Sequence, residues 1–98
     1  MDSRFKNEQT DMLARALLAM ESEEDCYAFL EDLCTVREIH DLSQRLEVAM
    51  LLKKKATYAE IVEKTGASTA TIGRVNRALS YGTGGYDAII ARISDQEE

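Results

Sequence analysis

One short segment of the chain carries side chains suited to contact the major groove of DNA. Small side chains let a helix approach the groove closely, and hydroxyl groups can form hydrogen bonds with base edges. A segment of this kind follows Gly66, and its second half contains arginines that can meet phosphates. The candidate DNA-binding residues of this segment are Ser68, Thr69, Ala70, Thr71, Gly73, Arg74 and Arg77.

The charge distribution agrees with this interpretation, although the chain as a whole is acidic. Its 98 residues carry a formal net charge of −6. Residues 53–81 nevertheless hold six basic against two acidic side chains, and the segments on either side are negative. A local positive patch suffices for phosphate contact, because charges act within a Debye length of about 8–10 Å. Lys53, Lys54 and Lys55 therefore join the candidate DNA-binding residues; a solvated helix end is the alternative for this run.

No arrangement typical of catalysis accompanies these residues. The chain has one histidine, His40, and no glycine-rich phosphate loop. Cys26 and Cys34 are widely spaced, whereas zinc sites use closer pairs and four ligands. We therefore expect two buried, reduced thiols. The sequence predicts a protein that is not an enzyme and has no bound metal ion and no obligatory cofactor.

The secondary structure that must position these side chains is predicted to be entirely helical. The chain has no proline, and its glycines are concentrated late, so helix breakers are rare before Gly66. Apolar spacing predicts six helices with short connections in a single domain. We expect two N-terminal dimerisation helices in 1–34, a long central helix in 35–56, a helix-turn-helix in 57–80 and a C-terminal helix in 83–94.

Capping signals mark several of the helix starts. A hydroxyl residue precedes acidic residues at Ser22, and a capping box pairs Thr35 with Glu38. The same box pairs Thr57 with Glu60 at the start of the helix-turn-helix.

The turn of the helix-turn-helix is predicted at Gly66, which can adopt the left-handed conformation between two helices. Ser68 is expected to cap the second helix, and Ile61, Ile72 and Val75 to face the joint. A generic helical hairpin would use these residues too. The small and hydroxyl-bearing side chains on the exposed side of the second helix are what favour DNA binding over a purely structural hairpin.

The first two predicted helices carry apolar stripes that so small a chain has little means to cover. A homodimer would bury them, and symmetric dimers are the commonest oligomers; a compact monomer with the stripes folded inward is the alternative. No apolar run approaches the roughly 18 residues of a membrane span, and the charged N-terminus does not resemble a signal peptide. We therefore expect a cytoplasmic protein.

The segment "TGASTATIGRVNRAL" closely resembles the helix-turn-helix of the tryptophan repressor superfamily, with its pattern Gly-Ala-x-x-Ala-Thr-Ile-x-Arg. "TVREIHDLSQR" resembles the start of that family's long third helix, so the similarity covers about residues 33–79. With "YGTGGY", the chain looks most like the YerC/YecD group of Trp-repressor-like proteins. The resemblance implies an intertwined homodimer that places one recognition helix per subunit in successive major grooves.

The resemblance also implies a ligand pocket. In the tryptophan repressor two arginines enclose the indole of the corepressor, and Arg45 and Arg74 match their positions. Thr35 matches a threonine beside the pocket, whereas Ala78 replaces a serine that helps to hold the amino group. Tryptophan is therefore not the corepressor that we expect.

Alternatives stay open for both arginines. Arg45 can equally form an ion pair with Glu47 or Asp41 or be a solvated cation on the helix surface. Arg74 can face either the pocket or a phosphate. Ala59 and Val62 replace basic residues that the repressor uses on its operator, which predicts a different operator.

The sequence thus predicts a homodimeric, sequence-specific regulator of transcription that binds double-stranded DNA, most simply a repressor. A ligand-sensing repressor that responds to an aromatic amino acid or another small metabolite is one alternative. The other is a helical interaction module that does not bind DNA and acts through its acidic N-terminal half.

Overall fold

The computed structural model describes residues 4–97, which form six α-helices and no strand. The prediction of an all-α, six-helix fold is confirmed. None of these helices is long and apolar enough to cross a membrane. The helices are α1 (Glu8–Leu18), α2 (Glu23–Leu33), α3 (Val36–Lys53), α4 (Tyr58–Thr65), α5 (Thr69–Tyr81) and α6 (Gly85–Glu97).

The chain divides into two compact units, residues 1–36 and 37–98. In the first unit, Ser22 caps α2 as predicted, because its side chain accepts a hydrogen bond from the backbone N–H of Asp25. Neither α1 nor α2 contains a buried residue. Cys26 and Cys34 are free, as expected, but they are half-buried rather than buried. No residue between positions 4 and 36 is buried, so the described part of the first unit offers no core to enclose them.

The second unit holds the hydrophobic core. Its buried residues come from four helices and the turn: Val48 and Ala49 (α3), Ile61 (α4), Ala67 (the turn), Ile72 and Val75 (α5) and Ile90 (α6). The predicted joint between α4 and α5 is confirmed, since Ile61 and Ile72 are fully buried. Burying an aliphatic side chain of this size contributes about 1.5–3 kcal/mol, so each of the two residues of the joint contributes substantially to the stability of this unit.

Hydrogen bonds fix the entry into α4. The backbone N–H of Thr57 donates to the Glu60 carboxylate at 2.9 Å, and the Glu60 N–H donates to the Thr57 hydroxyl at 3.2 Å. This is the predicted capping box. The hydrogen bonds from the Thr57 backbone and then from its side chain lower the pKa of the Glu60 carboxyl below its usual value.

The turn after α4 has the predicted left-handed glycine. Gly66 has φ 74° and its N–H donates to the carbonyl of Val62. The side chain of Gln44 on α3 donates to the carbonyl of Thr65 at 3.1 Å, which ties the turn to the long helix. The angle between α4 and α5 is therefore held by both the core and the turn.

The C-terminus of α3 ends in a left-handed residue that is not glycine. Lys55 has φ 67°, while its N–H donates to Leu52 and the next N–H, from Ala56, donates to Leu51. These two bonds form the Schellman motif, in which glycine normally occupies the left-handed position. A side chain at this position costs roughly 1–2 kcal/mol. The fold therefore carries a local strain at Lys55.

Replacing Lys55 with glycine is expected to raise the free energy of unfolding by about 1 kcal/mol, because glycine adopts this conformation without steric cost. Lys54→Gly is the matched control: Lys54 is not among the left-handed residues, so added chain flexibility should lower stability by about 0.5–1 kcal/mol. Urea unfolding at one protein concentration measures both variants. Equal destabilisation by the two substitutions would contradict the strain at Lys55.

Candidate nucleic-acid interface

Helix α5 presents its small and basic side chains away from the core. Ile72 and Val75 lie on the buried side, whereas Thr69, Ala70 and Arg77 are exposed. At about 100° per residue, Ala70 and Arg77 lie opposite the buried stripe. The exposed surface of α5 therefore begins with small side chains and ends with a cation.

The hydroxyl groups of Ser68 and Thr71 serve the start of α5. The Ser68 hydroxyl accepts the N–H of Thr71 at 3.1 Å and donates to the Thr71 hydroxyl at 3.1 Å. Ser68 is the predicted N-cap, and Thr71 is half-buried beside it. Both side chains thus shape the helix start, and Thr69 is the exposed hydroxyl of the first turn.

Gly73 lies half-buried in the middle of α5 with ordinary helical backbone. A Cβ atom added there would meet no atom within 4 Å apart from its chain neighbours and the backbone of its own helix turn. A glycine in a helix interior destabilises it by roughly 0.5–1 kcal/mol relative to alanine. Neither packing nor backbone conformation of this chain explains the glycine.

Basic side chains surround this surface, and most of them are unpaired. Lys54, Lys55, Arg74 and Arg77 are exposed and form no ion pair within residues 4–97. Lys53 differs from them, because its ammonium group pairs with the carboxylate of Asp87 on α6. Of the three lysines predicted to contact DNA, Lys53 is thus partly neutralised.

Arg45 and Arg74 line one cleft of about 440 Å³ between α3 and the start of α5. The expected alternative of an Arg45–Asp41 ion pair is not found in the described part of the chain, because Asp41 pairs with Arg37 at 3.6 Å and lies 3.4 Å from His40. The cleft is lined by Arg37, His40, Asp41, Gln44, Arg45, Gly66, Ser68, Thr71 and Arg74. Its walls are mostly polar and basic.

Sequence reasoning missed two basic residues of this cleft. Arg37 and His40 also line it, and neither was among the candidate residues. The spacing of Arg37, Asp41 and Arg45 by four residues along α3 could have indicated Arg37, since such residues share one helix face. For His40 the signal is its place three residues after Arg37. Thr35 is exposed and directly precedes α3, and its role beside a ligand stays a prediction. No group of histidine, cysteine or acidic side chains suited to a metal ion occurs among the described residues.

Comparison with known proteins assigns the chain to a family. Residues 8–94 match the family model of the Trp repressor protein, which is most of the chain. The chain belongs to the Trp repressor family. The matched range contains all the candidate DNA-binding residues, which lie between residues 53 and 77.

Relatives of known sequence and structure agree with this assignment. The uncharacterised protein YerC of Bacillus subtilis strain 168 is 44% identical over 94 residues, which cover 96% of this chain and 90% of YerC. A TrpR-like protein from Eubacterium eligens is 47% identical and superposes with a TM-score of 0.89, over 95% of this chain and 96% of the other. A Trp-repressor-related protein from Staphylococcus aureus gives the same identity and TM-score, over 93% and 91%. The predicted resemblance to the YerC group is confirmed.

Gly73→Ala should raise the free energy of unfolding by about 0.5–1 kcal/mol, because the methyl group meets open space and alanine favours the helix. Gly82→Ala is the matched control. There the Cβ atom would collide with the carbonyl oxygen of Ala78, so stability should fall by about 1–3 kcal/mol. Thermal and urea unfolding measure both. A loss of stability in Gly73→Ala would show that the fold itself needs this glycine.

Proposed function

We propose that the protein is a homodimeric, sequence-specific DNA-binding regulator of transcription, most simply a repressor, and that α5 is its recognition helix. The observation that carries this proposal is the exposed surface of α5, where Thr69, Ala70 and Gly73 leave room for a close approach. A helix enters the major groove with its N-terminal residues against the base edges. Membership of the Trp repressor family, a family of regulators rather than enzymes, supports the same function.

Electrostatics support DNA as the partner despite the acidic composition. Two cations without an ion pair in the described part of the chain, Arg74 and Arg77, lie on α5, and Lys54 and Lys55 directly follow the neighbouring α3. Cations without a carboxylate partner are free to neutralise phosphates and to release counterions from DNA. The acidic remainder of the chain lowers the affinity for DNA of any sequence. Base contacts by α5 must therefore supply a larger share of the affinity for the specific site.

A second copy of this chain is the proposed occupant of the apolar surface of α1 and α2. These helices bury no residue, and they expose large apolar side chains, among them Met12, Leu13, Leu17, Leu18 and Tyr27. Two-fold pairing covers the same face on both subunits. It also presents two copies of α5 to half-sites about 10–10.5 base pairs apart.

Thr69→Glu is expected to weaken binding to the specific site on the order of 100-fold, because a carboxylate at the helix start repels phosphates and base acceptors. The fold should be unharmed, since a negative charge in the first turn favours the helix. Fluorescence anisotropy with a selected duplex measures the affinity, and sedimentation equilibrium checks the dimer.

The matched control for this test is Ser94→Glu, which makes the same change from hydroxyl to carboxylate at an exposed position of α6. Its affinity should stay near that of the unmodified protein. Equal affinity of Thr69→Glu and the unmodified protein for the selected site would contradict the assignment of α5 as the recognition helix.

The arginine cleft favours a second candidate function, regulation by a small molecule. Three arginines, Arg37, Arg45 and Arg74, line this cleft together with one carboxylate, so an anion fits better than an indole, which requires apolar walls. Arg74 belongs to the proposed recognition helix, whereas Arg37 and Arg45 belong to α3. An anion held between them would change how firmly α5 is positioned.

If this second function holds, phosphate- or carboxylate-bearing metabolites should change the affinity for the selected duplex, and tryptophan should not. Arg45→Gln should abolish that response and keep specific binding, because Arg45 lies on α3 and not on the exposed surface of α5. Anisotropy titrations with and without each metabolite at constant ionic strength measure it. If none of the anions changes the affinity for the selected duplex, the proposed regulation through this cleft is contradicted.

A further inference from the structure

A second cleft borders α5 on the flank opposite the arginine cleft. It has a volume of about 270 Å³ and lies between the end of α3, the later half of α5 and the start of α6. Its polar lining residues are Lys53, Lys55, Asn76, Ser80 and Asp87, and Leu52 and Leu79 contribute its apolar part. The sequence prediction included neither Asn76 nor Ser80.

The hydrogen-bond donors of this cleft, here called the lysine cleft, are largely unused. Asn76 and Ser80 lie one turn apart on the same flank of α5. The Asn76 amide donates one N–H to the Tyr58 hydroxyl at 3.4 Å, which leaves its second N–H available. The Ser80 hydroxyl and the Lys55 ammonium group have no partner within residues 4–97.

Lys55 occupies this cleft at a cost to the fold. Its left-handed backbone is the position where glycine would be favoured, and its side chain gains no polar partner among residues 4–97 in return. Strained residues of this kind tend to occur at functional sites. A partner outside the chain accounts for a lysine at this position.

The geometry points to a DNA phosphate as that partner. We propose that the lysine cleft holds a backbone phosphate of the strand that borders the major groove containing α5, with Lys55, Asn76 and Ser80 as donors. This inference rests on the proposed role of α5 as a recognition helix. The groove is about 12 Å wide between two phosphate backbones, so donors on the flank of an inserted helix face one of them. Contacts of this type fix position and carry no sequence information.

Asp87 limits this contact from within the protein. Its carboxylate holds the ammonium group of Lys53 at the edge of the cleft and repels a phosphate there. Lys55 is therefore the main phosphate contact among the three lysines. Lys53 is occupied by its ion pair with Asp87, and Lys54 does not line the cleft.

Three single substitutions test this assignment by fluorescence anisotropy over a range of salt concentrations. Lys55→Gln should weaken binding roughly fivefold to tenfold on selected and random duplexes alike, and it should reduce the log–log salt slope by about 1. Ser80→Ala should weaken binding about twofold to fivefold at unchanged slope, because a neutral donor releases no counterion. Asp87→Asn should strengthen binding and make the slope steeper by up to about 1, because it frees Lys53.

Lys54→Gln is the matched comparison, since it removes the same charge from the neighbouring residue outside the cleft. Because Lys54 is a diffuse cation near the DNA, this change should weaken binding less than Lys55→Gln does, about twofold. Equal losses of affinity and slope in Lys54→Gln and Lys55→Gln would overturn the proposal, because the lysines would then act only as a diffuse charge. Unchanged affinity in Lys55→Gln would overturn it as well. If the unmodified protein selects no specific site, the proposed function fails first, which distinguishes the two failures.

A duplex with single neutral methylphosphonate linkages locates the phosphate. Scanning the substitution along the selected site should reveal one position per half-site that weakens the unmodified protein and leaves Lys55→Gln unaffected. Inorganic phosphate at millimolar concentration should compete no better than chloride of equal ionic strength, because the free ion lacks the other DNA contacts. Saturable competition by inorganic phosphate would instead identify a small-anion site and overturn the DNA assignment.

Discussion

The packing of α4 and α5 around Ile61, Ile72 and Val75 is the constraint on which the rest of the structure depends. Gly66 makes the turn possible because it accepts a left-handed backbone, and the Gln44 side chain ties that turn to α3. Burial on one side of α5 determines which residues face outward on the other. The same packing that forms the core therefore also fixes which side chains of α5 form the proposed DNA-binding surface.

The two clefts beside α5 give this surface a simple electrostatic organisation. Arginines of α3 and α5 line one flank, and Lys55 with neutral donors of α5 lines the other. Between them the helix carries small side chains in its first half and the cation Arg77 in its second half. Cations at the edges suit phosphates, and a small central surface suits base edges. An acidic protein can therefore bind DNA specifically while its overall charge discourages binding elsewhere.

Sequence patterns predicted the helices well because their determinants are local. The Thr57–Glu60 box, the Ser68 cap and the left-handed Gly66 each depend on residues within a few positions. The clefts were harder to predict, because they bring together residues distant in sequence, such as Arg37 with Arg74 and Lys55 with Ser80. The Lys53–Asp87 ion pair and the strain at Lys55 also arise from tertiary contacts and backbone geometry, which spacing alone does not reveal.

Selection of bound sequences from a randomised duplex pool at moderate salt tests the central claim most directly. Two copies of α5 related by a two-fold axis should enrich a symmetric site, with half-site centres about 10–10.5 base pairs apart. Enrichment of such a site is the result that we predict. Absence of any enriched sequence, with and without added small metabolites, would contradict the account and leave the helix-turn-helix as a scaffold for protein contacts.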